Sequence, residues 1–122
     1  MQISKTTDGL ATLINVFTVA PAYQLRLIEL LTHATESNIR HVPGFVSAAL
    51  HRSLDGTKVT MYAQWRSAGD YQRMRARPDA SPFLAEAMAI ARFDPGVYEV
   101  VAVFSFAPPE IHNDQAPSGQ SV

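Results

Sequence analysis

Cysteine is missing from all 122 residues of the chain, which rules out disulfides, thiolate nucleophiles, thiolate-bound zinc and cysteine-held iron–sulfur clusters. The absence is compatible with a reducing compartment. An excess of one charge is missing too: ten Lys and Arg stand against eleven Asp and Glu, a formal net charge of −1. No basic run stands out, so electrostatic capture of nucleic acid or of an anionic membrane is not expected. The first ten residues, M-Q-I-S-K-T-T-D-G-L, lack the apolar core of a signal peptide. No apolar run approaches the roughly 18 residues of a membrane span. A soluble, cytoplasmic protein without a membrane or nucleic-acid partner is the expectation. Neither G-x-G-x-x-G nor a P-loop occurs, so no dinucleotide or nucleotide-phosphate site is signalled.

What is present is apolar. Hydrophobic residues make up 47% of the chain, enough for one domain with a real core. The most informative stretch runs over residues 41–65, H-V-P-G-F-V-S-A-A-L-H-R-S-L-D-G-T-K-V-T-M-Y-A-Q-W. Pro43-Gly44 breaks what precedes it and Asp55-Gly56 turns the chain between two β-rich segments, a strong hairpin signal. Symmetric pairing about that turn sets His51 opposite Thr60, Leu50 opposite Met61, Ala48 opposite Ala63 and Val46 opposite Trp65. A one-residue bulge would shift this register. With period two, Val46, Ala48, Leu50, Val59, Met61, Ala63 and Trp65 share one face, while Phe45, Ser47, Ala49, His51, Thr60, Tyr62 and Gln64 share the other.

Elsewhere, residues 11–19 (A-T-L-I-N-V-F-T-V) form a first strand, with Leu13, Asn15, Phe17 and Val19 on one side and Thr12, Ile14, Val16 and Thr18 on the other. Asn15 is the odd residue, an amide on the side of Phe17. Helical spacing of Tyr23, Leu27, Leu30, Leu31 and Ala34 predicts a helix over 22–39. His33 lies beside that stripe with no second ligand at i+4, and reads as an exposed or satisfied histidine. Ser67 caps a short helix over 68–75. Arg66, Arg73, Arg75 and Arg77 read as a solvated face. Pro78 and Pro82 interrupt, and Asp79 or Ser81 caps a further helix through Phe83, Leu84, Ala87, Met88 and Ile90. Phe93-Asp94-Pro95-Gly96 is expected as a turn, and residues 97–106 (V-Y-E-V-V-A-V-F-S-F) as a last strand apolar on both faces. Residues 1–10 and 107–122, the latter with His112, are expected as flexible ends of a domain spanning 11–106.

The order βαββααβ predicts an α+β, ferredoxin-like fold: a four-stranded antiparallel sheet with helices on one face. The uncovered face, with Ile14, Val16, Tyr62 and part of the last strand, is too apolar for a monomer. A two-fold homodimer packed through the open sheet faces follows as the expectation.

V-P-G-F at 42–45, D-G-T at 55–57, Y-A-Q-W at 62–65 and the later Tyr71 together resemble the antibiotic biosynthesis monooxygenase family, over roughly residues 11–106. The resemblance implies a dimeric α/β barrel, and it is nearest to the cofactor-independent quinone-forming monooxygenases of aromatic polyketide pathways. Such enzymes hold a polycyclic, anthrone-like phenol between helices and sheet and oxidise it with dioxygen, using neither flavin, haem nor metal. The family's tryptophan falls on Trp65 and its tyrosine on Tyr71. Its asparagine position is occupied by Met61 and its arginine position falls near Ala85. Asn15 is the candidate replacement for the amide, so the catalytic candidates are Trp65, Tyr71 and Asn15. Met61, Leu50, Phe17, Met74 and Met88 are the candidate pocket walls.

Three other readings compete. Haem degradation on this scaffold needs a proximal histidine after the tryptophan, and no histidine lies between Arg52 and Ile111. A non-catalytic dimeric module binding a hydrophobic small molecule is compatible with the replaced amide and guanidinium. A polyketide cyclase would want a general acid or base in the pocket, and His51, the one strand histidine, falls by parity on the dimer side.

Overall fold

The computed structural model describes residues 9–76 and 82–110. Residues 1–8, 77–81 and 111–122 lie outside the described part, and with them Arg77, Pro78, the caps expected at Asp79 or Ser81, and most of both ends expected to be flexible. Five strands are present among the described residues: β1 (Ala11–Val19), β2 (Phe45–Arg52), β3 (Lys58–Trp65), β4 (Ala91–Asp94) and β5 (Val97–Tyr98). Three α-helices join them: α1 (Gln24–Ser37), α2 (Ala68–Arg75) and α3 (Pro82–Ile90). The sheet is antiparallel in the order β2-β3-β1-β4, with β5 also on β1. This is the ferredoxin-like α+β arrangement expected from the element order.

The β2–β3 hairpin pairs His51 with Thr60, Leu50 with Met61 and Ala48 with Ala63, as symmetry about Asp55-Gly56 requires. Gly56 takes φ +84 at the loop's end, and its N–H donates to Ser53 O across 3.2 Å. The Asp55 carboxylate organises the rest of the loop, accepting from Thr57 N, Thr57 Oγ1 and Ser53 Oγ. Those bonds, led by the Thr57 hydroxyl, lower its pKa from 3.8 to about 2.

One register expectation is overturned. Between Phe45 and Ser47 the ladder shifts by a bulge, so Phe45, not Val46, stands opposite Trp65. The extra residue is Val46, which is left exposed, and Phe45 moves to the helix side of the sheet.

The last strand also departs from expectation. Strand structure begins at Ala91 directly after α3, with Phe93 opposite Phe17 and Asp94 opposite Val16, so the expected turn at 93–96 is already strand at 93 and 94, and only Pro95-Gly96 interrupts the edge. Pro95 is the reason: it has no N–H for the ladder, a defect tolerated at a sheet edge. Gly96 closes the gap, since its carbonyl accepts from Ile14 N at 3.0 Å and its N–H donates to Asn15 Oδ1 at 3.3 Å. Pairing resumes only at Val97 and Tyr98. Residues 99–110 form no regular structure, and Val101, Val103, Phe104 and Phe106 are exposed.

All three helices lie on the face of the sheet that carries Leu13, Phe17, Val19, Val59, Ala63 and Trp65. Two apolar clusters fill that side. One gathers Phe17, Val19, Leu27, Leu30, Leu31, Val59 and Ala87, and the other Ala11, Leu13, Ala63, Trp65 and Tyr71. No helix among the described residues is long and apolar enough to cross a membrane.

Candidate active site

The short helix α2 is fixed at its start, and that start sets the site. Ser67 is its N-cap, accepting from Asp70 N at 3.1 Å. Asp70, itself buried, accepts from Arg66 Nε at 2.9 Å, from Ser67 Oγ at 3.1 Å and from Arg73. The Arg66 guanidinium leads in holding its carboxyl down, from 3.8 to about 2, against the opposing effect of burial. Gly44 seals the arrangement. Its φ is +99, a Cβ there would stand 2.5 Å from the Asp70 side chain, and its carbonyl accepts from Arg66 N at 2.6 Å. The V-P-G-F turn and the helix start are thus one clasp.

From that clasp, residues 71, 74 and 75 fall on one side of α2 by helical spacing. Tyr71, Met74 and Arg75 all border a cavity between the helices and the sheet, which holds about 630 Å³ of empty space, its open mouth included. Trp65 forms another wall, 1% exposed, with its ring centroid 5.4 Å from Phe45 in an edge-on contact and 6.0 Å from Tyr71. Phe17 and Phe93 stack at 4.8 Å on the opposite side. The remaining lining is largely aliphatic, and Arg75 and Met88, both exposed, form its rim.

Asn15 sits in the wall directly across the β1–β3 ladder from Met61. A backbone N–H can only donate, so the bond from Gly96 N fixes Oδ1 as the acceptor and leaves the amide Nδ2 with no acceptor among the described residues. The chain therefore carries its cavity amide on β1, one cross-strand step from the Met61 position. Tyr71 is oriented in a similar way: Arg75 Nη1 donates to its oxygen at 3.0 Å, which leaves the phenolic O–H to donate elsewhere.

Of the eight side chains named as candidates from sequence, Trp65, Tyr71, Asn15, Met61, Phe17, Met74 and Met88 border this one cavity. Leu50 does not; it borders an adjoining hollow with Thr32, Glu36 and Met61. His51 lies on the opposite face of the sheet, its Nδ1 3.3 Å from Thr60 O, and Ala85 is exposed on α3. Sequence reasoning missed three groups. Phe45 was hidden by the bulge and Phe93 by the Pro-Gly break. Arg75 was counted into a solvated face, although its i+4 spacing from Tyr71 was a usable signal. Arg66 and Arg73 in fact serve Asp70.

Known proteins resemble the chain in sequence and fold. The chain is 45% identical over 108 residues to the tetracenomycin-F1 monooxygenase of Streptomyces glaucescens, covering 88% of this chain and 96% of that protein. A mutant of SnoaB from Streptomyces nogalater, described as a cofactor-independent oxygenase, superposes with a TM-score of 0.66 at 25% identity, over 77% of this chain and 95% of that one. The ActVA-Orf6 monooxygenase of Streptomyces coelicolor, bound to nanaomycin D, gives 0.61 at 31% identity, over 80% and 93%. Residues 11–86 match the profile of the antibiotic biosynthesis monooxygenases, and the chain belongs to that family.

Proposed function

We propose that this chain is a cofactor-independent monooxygenase that oxidises a polycyclic, anthrone-like phenol of an aromatic polyketide pathway to a quinone, with dioxygen as co-substrate. The observation that carries the reading is the cavity itself: aromatic and aliphatic walls, into which the Tyr71 hydroxyl and the Asn15 amide offer donors. The relatives named above, among them a cofactor-independent oxygenase and a monooxygenase in complex with nanaomycin D, support it.

A deprotonated anthrone is itself the reductant. Its ring CH2 and one O2 become a carbonyl and one water, so the protein's part is to exclude solvent, orient the ring system and stabilise the developing oxyanion. In this reading Trp65 stacks on the substrate, Tyr71 and Asn15 donate to its oxygens, and Phe17, Met61, Met74 and Met88 form the apolar walls. Purified protein with an anthrone-type phenol and a chelator should accelerate quinone formation over buffer, consuming one O2 per quinone. No acceleration overturns the reading for that substrate class.

The proposed working form is a homodimer through the open sheet face. Its support is the exposed apolar run beyond β5, with Phe104 90% and Phe106 89% exposed, beside a sheet face that carries Ile14, Val16 and Tyr62. Sedimentation at micromolar concentration should give twice the chain mass; a lone folded subunit overturns it.

A further inference from the structure

Arg75 differs from the other arginines around α2. Arg66 and Arg73 are both spent on the Asp70 carboxylate. Arg75 has no carboxylate partner among the described residues, yet it borders a largely apolar cavity in which it is the one charged side chain of the described lining. Its guanidinium lies over two aromatic rings, 5.4 Å from the Phe93 centroid and 5.8 Å from that of Tyr71. Such stacking holds the plane of the group in place and costs it none of its hydrogen-bond donors. One N–H is used on Tyr71, and a guanidinium has five. A fixed cation with donors to spare, beside a cavity of this polarity, is half of an ion pair whose other half is the ligand.

We infer that Arg75 is the anion-binding group of the cavity: it holds the oxyanion of a deprotonated phenolic ligand at the rim and, through Tyr71, positions a second donor toward that ligand. The inference rests on the aromatic-ligand reading given above and deepens it, since it states which ionisation state of the ligand the pocket selects. Because Arg75 reaches the ligand from α2, one helical turn beyond Tyr71, the two act as a pair.

The test uses 1,8-dihydroxyanthraquinone, a phenolic probe already at the quinone level, whose absorbance reports its own ionisation. A cation within about 4–6 Å lowers the pKa of an acid by about 1 to 3. The dye bound to wild-type protein should therefore titrate at a pH about 1 to 3 below its value in buffer. In Arg75→Met, which keeps the stem and removes the charge, the bound dye should titrate at or above the buffer value, and Arg75→Lys should fall between. Arg92→Met is the control, because it removes the same charge from a side chain opposite Thr18 on the other face of the sheet, and it should leave the wild-type titration intact. Binding with identical titration in wild type and Arg75→Met overturns the role of Arg75 and leaves the aromatic pocket standing. No binding to wild type removes the aromatic-ligand reading and this inference with it.

Discussion

The two apolar clusters under the sheet are closed by different means. Around Leu27, Leu30 and Val59, the long helix α1 and the helix α3 cross above the strands and bury aliphatic side chains almost completely. Around Trp65 and Tyr71 the cover is only the short helix α2 with the turn before β2, and the packing is aromatic, methionine-rich and incomplete. The difference separates two tasks in one small domain. Aliphatic groups have nothing to offer but burial, so the first cluster supplies stability. The rings, sulfurs and polar tips of the second can face a ligand as readily as each other, and the cavity opens where the two clusters meet.

The largest effect expected from this contrast is on stability. Leu27 is fully buried in the first cluster, and Leu27→Ala should cost about 2–5 kcal/mol, the lost transfer energy plus the cavity left behind. Met61→Leu, in the wall of the second cluster, conserves volume and should cost less than about 1.5 kcal/mol. Urea unfolding measures both. Equal losses would mean that the clusters share the load and that the division drawn here is false.

Activity should divide the other way. Losing a hydrogen bond to a charged group is worth about 10- to 100-fold, so Tyr71→Phe and Asn15→Leu should each lower turnover of an anthrone by about that factor. Tyr71→Phe should leave the unfolding midpoint close to wild type, whereas Asn15→Leu also removes the acceptor of Gly96 N–H and should cost about 1–3 kcal/mol. Trp65→Phe should slow turnover as well, with the fold kept. Asn15 and Met61 are cross-strand partners, which permits a sharper test. Adding Met61→Asn to Asn15→Leu returns an amide to the same wall from the neighbouring strand, and should recover part of the lost rate. Failure of that rescue would show that strand of origin matters more than the presence of the amide.

The two clusters were also unequally legible in the sequence. The first follows from periodicity alone: Leu27, Leu30, Leu31 and Ala34 recur at helical spacing, and Phe17, Val19 and Val59 alternate along strands, so burial and pattern coincide. The Asp55-Gly56 turn and the Ser67 cap were equally readable, because each depends on local chemistry. The second cluster depends on departures from regularity. The bulge at Val46 swaps Phe45 to the inner face, Pro95 interrupts a strand that starts earlier than its composition suggests, and Arg75 leaves its solvated neighbours for a ring surface. A period-two or period-3.6 pattern carries no trace of a bulge, and a strand edge that tolerates proline looks like a turn until its neighbour is known. Residues 97–106 differ from expectation for the same reason: high β-propensity marks a segment suited to pairing, and among the described residues only Val97 and Tyr98 are paired.

Gly44 gives a smaller effect, confined to the second cluster. Both its positive φ and the proximity of Asp70 oppose a side chain, so Gly44→Ala should destabilise by about 1–2 kcal/mol from the backbone conformation, with the contact adding to it. The clasp would loosen α2, and turnover should fall along with stability, whereas Leu27→Ala at a temperature where it remains folded should turn over nearly normally.

The mildest perturbation is acid, and the chain contains its own reporter, because Trp65 is the only tryptophan. Asp70 has its pKa lowered from 3.8 to about 2 in the folded protein, chiefly by Arg66. A depressed carboxyl stabilises the fold fully above its unfolded value, so this contribution is complete above about pH 4 and is lost as pH falls toward 2. Asp55 is depressed over the same window by Thr57 and Ser53, but it belongs to the hairpin loop, away from both clusters. Emission from Trp65 should therefore shift to the red between about pH 4 and 2 as the clasp protonates and α2 loosens, before the far-ultraviolet dichroism of α1 is lost. Asp70→Asn should lack that step, and Asp55→Asn should keep it. If the fluorescence and the dichroism collapse together in wild type, the two clusters unfold as one unit, and the cavity side is no more loosely held than the packed side.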